Sequence, residues 1–225
     1  MSKLKEIKKE KNHMEKKNKK NIPLIPLILI SLIVLAVISF VYGFVFLSKE
    51  SSSRIDSAEL VNGSAWAGTE NAEITIVVFS DFECMPCREN YWKMKNTLAE
   101  FEGKIKYVFR HFPATKTINS FRAAAASKCA QEKNLFWEYH DKLFESAKEL
   151  NEKELISLAK ESGLNEAEFI ECLYSGKFDS EIQKDINDAL RFGAEGAPTY
   201  FINGLKMQFS SWQEFNNLIE TELLR

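Results

Sequence analysis

Cys84 and Cys87, three positions apart, can close a disulfide within one helical turn and release it again. They directly follow Ile74–Ser80 (ITIVVFS), a short apolar, β-branched run of the kind buried at the centre of a sheet. Beyond them Tyr91, Met94, Leu98 and Phe101 recur at helical spacing, and Gly103 stops the pattern. The pair thus opens a helix at a strand-to-helix turn. Backbone N–H groups there favour an anion, so Cys84 is placed to carry a thiolate and act as the attacking sulfur. Cys87, one turn in, is placed to resolve a mixed disulfide. Pro86 suits the first helical turn, and Met85 completes the intervening dipeptide. The expected chemistry is dithiol–disulfide exchange.

Two other chemistries share this spacing. A zinc site would need two more ligands, usually a second close pair, yet Cys129 and Cys172 stand 43 residues apart. A purely structural bridge has no need of an anion-stabilising helix end. No metal is expected at the pair. Cys129 and Cys172 are expected to form a structural disulfide between two helices, the alternative being two buried thiols. His111 and His140 read as packing or surface residues. Without a Gly-rich phosphate loop or a nucleophile–base triad, no organic cofactor is expected.

A second signal is Gly196-Ala197-Pro198-Thr199, directly before a strand-like run. A proline in that setting is a candidate for a cis peptide. Between the two signals, Ile105–Phe112 forms a second strand closed by Pro113, and a long helical stretch follows. Its helices are predicted at 117–132 and 134–148, then after the capping pairs Asn151/Glu154 and Asn165/Glu168, and from Asp179 to Arg191. Strands return at Thr199–Asn203 and Leu205–Phe209 around an Asn203–Gly204 turn. Ser211 with Glu214 caps a last amphipathic helix. A βαβ unit, a helical block at about 115–193 and a ββα unit make an α/β thioredoxin plan with a helical insertion.

The 225 residues divide unevenly in charge. Residues 1–20 hold nine lysines against Glu6, Glu10 and Glu15, a net of +6. Residues 21–48 carry no charge, so with a chain total of −2 the remainder stands at −8. That acidic balance excludes nucleic acid as the main domain's partner. The apolar run has no polar face, and Leu27–Leu47 alone would span about 31 Å as a helix, matching a ~30 Å hydrocarbon core. It is too long for a cleaved signal and lacks an A-x-A-like site. The expectation is one N-terminal transmembrane helix with the lysine-rich tail (1–20) in the cytoplasm and the remainder outside the cytoplasmic membrane, in the periplasm or at the cell surface. Residues 49–65, polar and serine-rich, read as a linker, and 66–225 as the folded domain.

In order and spacing, four stretches resemble the DsbA-like branch of the thioredoxin superfamily: ITIVVFSDFECMPC at 74–87, FRHFP at 109–113, LFWEYHDKLF at 135–144 and GAPTYFING at 196–204. The resemblance covers roughly residues 64–224. It implies a thioredoxin fold, disulfide exchange with exported proteins through Cys84 and Cys87, and a cis proline at Pro198. It also implies that Ala197 pairs with extended substrate, with Pro198 and Thr199 in the same loop. A membrane redox partner of the DsbB or VKOR type, or a reducing donor, would recycle the pair. Two positions depart from the family. Val78 stands where a buried acid is usual, which leaves Glu83 or water to move protons for Cys87. Met85-Pro86 contains no histidine and is closer to the Gly-Pro of thioredoxin, which leaves open whether the chain introduces, reduces or isomerises disulfides. A non-enzymatic surface module with a structural Cys84–Cys87 bridge is the reading from another class.

Overall fold

The computed structural model describes residues 32–41, 54–113 and 117–225. Met1–Ser51 and Ser52–Arg225 form separate compact units. Of the first unit, residues 32–41 are helical. The basic tail and the remainder of the expected anchor lie outside the described residues. Among the described residues, no helix is long and apolar enough to cross a membrane.

The second unit begins earlier than the linker reading of 49–65 implied. Asp56 accepts the Ala58 N–H and caps a five-residue helix, α1 (Ser57–Val61), whose Leu60 is buried. Arg54 is tied to Glu222, and the Ile55 N–H bonds Gly204 O at 2.8 Å. A three-residue strand, β1 (Trp66–Gly68), follows.

The expected βαβ unit is β2 (Ile74–Ser80), α2 (Met85–Glu100) and β3 (Ile105–His111). Among the described residues, five helices separate it from the closing strands: α3 (Ile118–Glu132), α4 (Phe136–Glu145), α5 (Glu152–Glu161), α6 (Glu166–Ser175) and α7 (Asp179–Arg191). The chain ends with β4 (Thr199–Ile202), β5 (Leu205–Lys206) and α8 (Trp212–Leu223). The sheet order is β1-β3-β2-β4-β5, with β2 and β3 parallel and the other pairs antiparallel. Asn151, Asn165 and Ser211 each accept the N–H three residues on, so each capping signal marks a true helix start.

Alternation along the central strands sorts side chains to two faces. Ile74, Ile76, Val78, Tyr107, Phe109, Tyr200 and Ile202 pack with Cys87, Tyr91 and Met94 of α2, with the helical block and with Phe215 and Ile219 of α8. Val77, Phe79, Val108 and Phe201 form the other face, with Leu60 of α1 and Ala189 of α7. Each such aliphatic or aromatic side chain contributes about 1.5–3 kcal/mol on burial. Cys129 of α3 and Cys172 of α6 are joined by a disulfide that ties two helices of the block.

The Asn203–Gly204 turn has φ of 46° and 83°, as a two-residue type I′ hairpin requires. A side chain at Gly204 would put Cβ 2.2 Å from Ile55 O, so only glycine fits. The second hairpin strand is shorter than the predicted Leu205–Phe209. Phe209 leaves the ladder to pack on Tyr200, Trp212 and Phe215.

One polar cluster lies in the second face. Arg110, fully buried, bonds Asp185 through Nε at 2.9 Å and Nη2 at 2.6 Å, and Asp188 through Nη2 at 2.6 Å. It also reaches Leu60 O at 3.3 Å and stacks over Phe79. The His111 N–H donates to the second oxygen of Asp185 at 3.0 Å. Arg110 thus joins β3 to α7 and α1.

Candidate active site

Cys84 is the N-cap of α2, with φ −78° and ψ 121°, so its side chain lies where the first N–H groups of the helix have no intrahelical partner. Its Sγ accepts the Cys87 N–H at 3.3 Å. The Cys84 thiol donates to Ala197 O at 3.2 Å, and the Ala197–Pro198 peptide is cis. Two segments 113 residues apart thereby meet at one sulfur. Both cysteines are free thiols; Cys84 is 7% exposed and Cys87 3%.

The two sulfurs differ in acidity. The hydrogen bond from the Cys87 thiol lowers Cys84, burial opposes, the Cys87 N–H lowers it further, and the Asp81 charge raises it. The sum is a Cys84 below the ordinary thiol range. Burial pushes Cys87 far up, joined by its hydrogen bond to Cys84 and the charge there, while Ser80 and the Asp81 backbone pull the other way. Of the two sulfurs, Cys84 is therefore the one that gives up its proton first, while Cys87 keeps its own.

Met85 is 70% exposed between the cysteines, and Pro86 is exposed beside it. The Thr199 hydroxyl donates to Gly196 O at 2.6 Å and braces the proline loop. Beside that loop runs an open groove of about 500 Å³, lined by 195–200, 206–209 and Asn90.

Val78 is buried in the sheet between Phe109 and Tyr200 and carries no proton. Glu83 is half-buried on the same turn. Its carboxylate accepts the Thr117 hydroxyl at 2.7 Å, at the N-cap of α3. The buried acid of this turn is Asp81, 2% exposed, which the sequence reading passed over. Its backbone O accepts the Cys84 N–H at 3.2 Å, and its Oδ1 accepts the Glu83 N–H at 3.0 Å and the Ser120 hydroxyl at 2.7 Å. The available signal was an Asp-Phe-Glu-Cys turn at the end of an apolar strand, where an Asp side chain bonds the N–H two residues on.

A family model described as Thioredoxin matches residues 61–221. The chain belongs to the thioredoxin family. Within that family, its structure resembles oxidised BdbD from Bacillus subtilis, with a TM-score of 0.68, 26% identity, and coverage of 73% of this chain and 95% of that one. Its sequence is 26% identical over 151 residues to the probable disulfide bond formation protein D of Bacillus anthracis, covering 61% of this chain and 68% of that protein. It is also 32% identical over 143 residues to the Na(+)/H(+) antiporter NhaA of Herminiimonas arsenicoxydans. That match takes in 64% of this chain but 23% of the antiporter, so the chain spans less than a quarter of that relative's length.

Behind the pair, His111 and His140 are buried among Phe82, Phe109, Phe136 and Phe144. Burial, with Lys128, His140 and Arg110, pushes His111 down to about 3; burial also lowers His140, against the pull of Asp141. Unfolding returns each imidazole to its ordinary value near 6.5. Below that pH the unfolded chain binds protons that the folded chain refuses, so this stability is full above about pH 6.5 and is lost as pH falls towards 3. The His111→Phe variant is expected to flatten the decline in unfolding free energy between pH 6 and 4 by up to ~1.4 kcal/mol per pH unit. Urea titrations at stepped pH would measure this.

Proposed function

We propose that this chain is a thiol–disulfide oxidoreductase that acts on exported proteins through Cys84 and Cys87 and introduces disulfide bonds. The observation that carries the reading is the unequal pair: Cys84 is acidified at the N-terminus of α2 and contacts Ala197 O beside the cis proline, while Cys87 is held protonated behind it. In the oxidising direction a substrate thiolate attacks Cys84 Sγ of the disulfide. The Cys84–Cys87 bond breaks, and Cys87 leaves with the electron pair and takes a proton. A second substrate thiolate then attacks the mixed disulfide and releases Cys84 as thiolate. The substrate has lost two electrons and two protons, one proton now on Cys87 and the other in solvent, and the pair is reduced.

Ala197, at the edge of the groove, offers backbone to an extended substrate segment, with Pro198 and Thr199 fixing the loop. The reduced pair passes its electrons to a membrane partner of the DsbB or VKOR type. Residues 21–48 anchor the chain in the cytoplasmic membrane, with the lysine-rich tail inside and the cysteine pair outside. The same site would serve a reductase kept reduced by a membrane donor. Mixing the oxidised full chain in detergent with a reduced peptide dithiol separates these outcomes. Loss of two peptide thiols per chain is the expected result. A chain that takes up no electrons, or only reduces the oxidised peptide, would overturn the oxidase reading.

A further inference from the structure

Asp81 is the one buried carboxylate on the turn that delivers Cys84, and it is bound from two sides. From the turn it accepts the Glu83 N–H at 3.0 Å, while its own backbone O accepts the Cys84 N–H at 3.2 Å. From the helical block it accepts the Ser120 hydroxyl at 2.7 Å, in the first turn of α3, where the helix dipole favours a negative charge. Glu83 makes the parallel contact to Thr117, so two carboxylates two residues apart fasten the cysteine turn to the start of α3. Only Asp81 is buried; Glu83 is partly exposed and screened by solvent.

We propose that Asp81 is a positioning residue of the cysteine pair: its clamped carboxylate opposes the Cys84 thiolate and makes the pair less oxidising than a neutral side chain there would. The inference rests on Cys84 and Cys87 being the redox pair proposed above. The physical reason is like-charge repulsion across a mostly dry turn. A thiolate forms at Cys84 only in the dithiol state, so a neighbouring negative charge disfavours that state and leaves the disulfide relatively unopposed. The effect acts against the α2 N-terminus and the Cys87 hydrogen bond, which favour the thiolate. Among the described residues, Tyr107 on β3 and Tyr200 on β4 also face the pair, both raised by burial and therefore neutral. Asp81 supplies the charge near the pair that position 78, a valine, does not.

The test uses the full chain in detergent with two readouts. One is the pH midpoint for alkylation of Cys84 by iodoacetamide in the reduced chain. The other is the equilibrium of the dithiol and oxidised glutathione with the disulfide and two glutathione thiols. Asp81→Asn keeps an oxygen for the Glu83 N–H and the Ser120 hydroxyl and removes the charge. It should make Cys84 about tenfold more acidic and shift the equilibrium about tenfold towards the dithiol, ~30 mV upward in potential. Asp81→Ser, smaller and neutral, should shift both in the same direction and serves if the asparagine variant fails to fold. Ser120→Ala loosens the contact with α3 but keeps the carboxylate, and should leave the midpoint within about twofold. Neutral variants that leave the midpoint unmoved, or a Ser120→Ala shift as large as that of Asp81→Asn, would overturn the proposal. If the unsubstituted chain does not equilibrate with glutathione while the alkylation midpoint still follows the Asp81 charge, the oxidoreductase reading fails and Asp81's influence on Cys84 stands.

Discussion

Cys87→Ala in the full chain is expected to accumulate a mixed disulfide between Cys84 and a substrate thiol, whereas Cys84→Ala should accumulate none. In the alanine variant at 87 the hydrogen bond from the Cys87 thiol is lost, but the N–H of position 87 and the helix N-terminus remain, so at raised pH the Cys84 thiolate forms and attacks a substrate disulfide, releasing one substrate thiol. No second sulfur then stands one turn into α2 to break the new bond. In the variant at 84, Cys87 remains 3% exposed with its thiol pushed far up by burial, so it is neither ionised nor reachable. Turnover should fall on the order of 10³-fold or more in either case, and the two variants should not add. Non-reducing electrophoresis against a disulfide-bonded peptide would show the contrast. Equal trapping at both cysteines would mean that the geometric asymmetry has no chemical consequence.

Arg110→Met is expected to destabilise the folded unit by roughly 3–5 kcal/mol, the usual cost of leaving buried charges without their partner. Asp185 and Asp188 would then face each other across the space the guanidinium fills, inside the contact of β3 with α7. Burial already pushes Asp185 up, while Arg110, Lys184 and Arg191 outweigh burial at Asp188 and hold it at about 2. Adding Asp185→Leu should restore part of the loss, because the cost lies in the unpaired charge and not in missing volume. Urea unfolding of the two variants would measure both changes. The folded fraction should keep its thiol exchange, since Arg110 stacks on Phe79 in the face of the sheet that does not hold the cysteines.

Those two sites differ in how far sequence reveals them. The cysteine turn was legible because its signals are local: an apolar strand, a proline in a first helical turn and a helical stripe within thirty residues. The helix starts after Asn151, Asn165 and Ser211 were legible for the same reason. The Arg110 cluster was not, since its partners lie 75 and 78 residues away and only tertiary packing joins them. Asp81 was hidden likewise: an aspartate in a turn is ordinary until Ser120, 39 residues on, closes over it. The strand Trp66–Gly68 and the helix Ser57–Val61 are too short to show a period, and they are held by long-range pairing to β3 and by the burial of Leu60. The hairpin turn was evident from Asn-Gly, but the early end of β5 follows from Phe209 finding an aromatic pocket.

As proposed above, Cys84 and Cys87 form a reversible redox pair poised to donate a disulfide. The most direct test is the equilibrium reduction potential of that pair in glutathione buffers, using the full chain. A single two-electron transition is expected above the cytosolic glutathione poise of about −220 to −260 mV, on the side of the ~−120 mV of DsbA. A value near the ~−270 mV of thioredoxin would contradict the direction assigned here, and a value below about −300 mV, the range of structural disulfides, would contradict the exchange reaction itself.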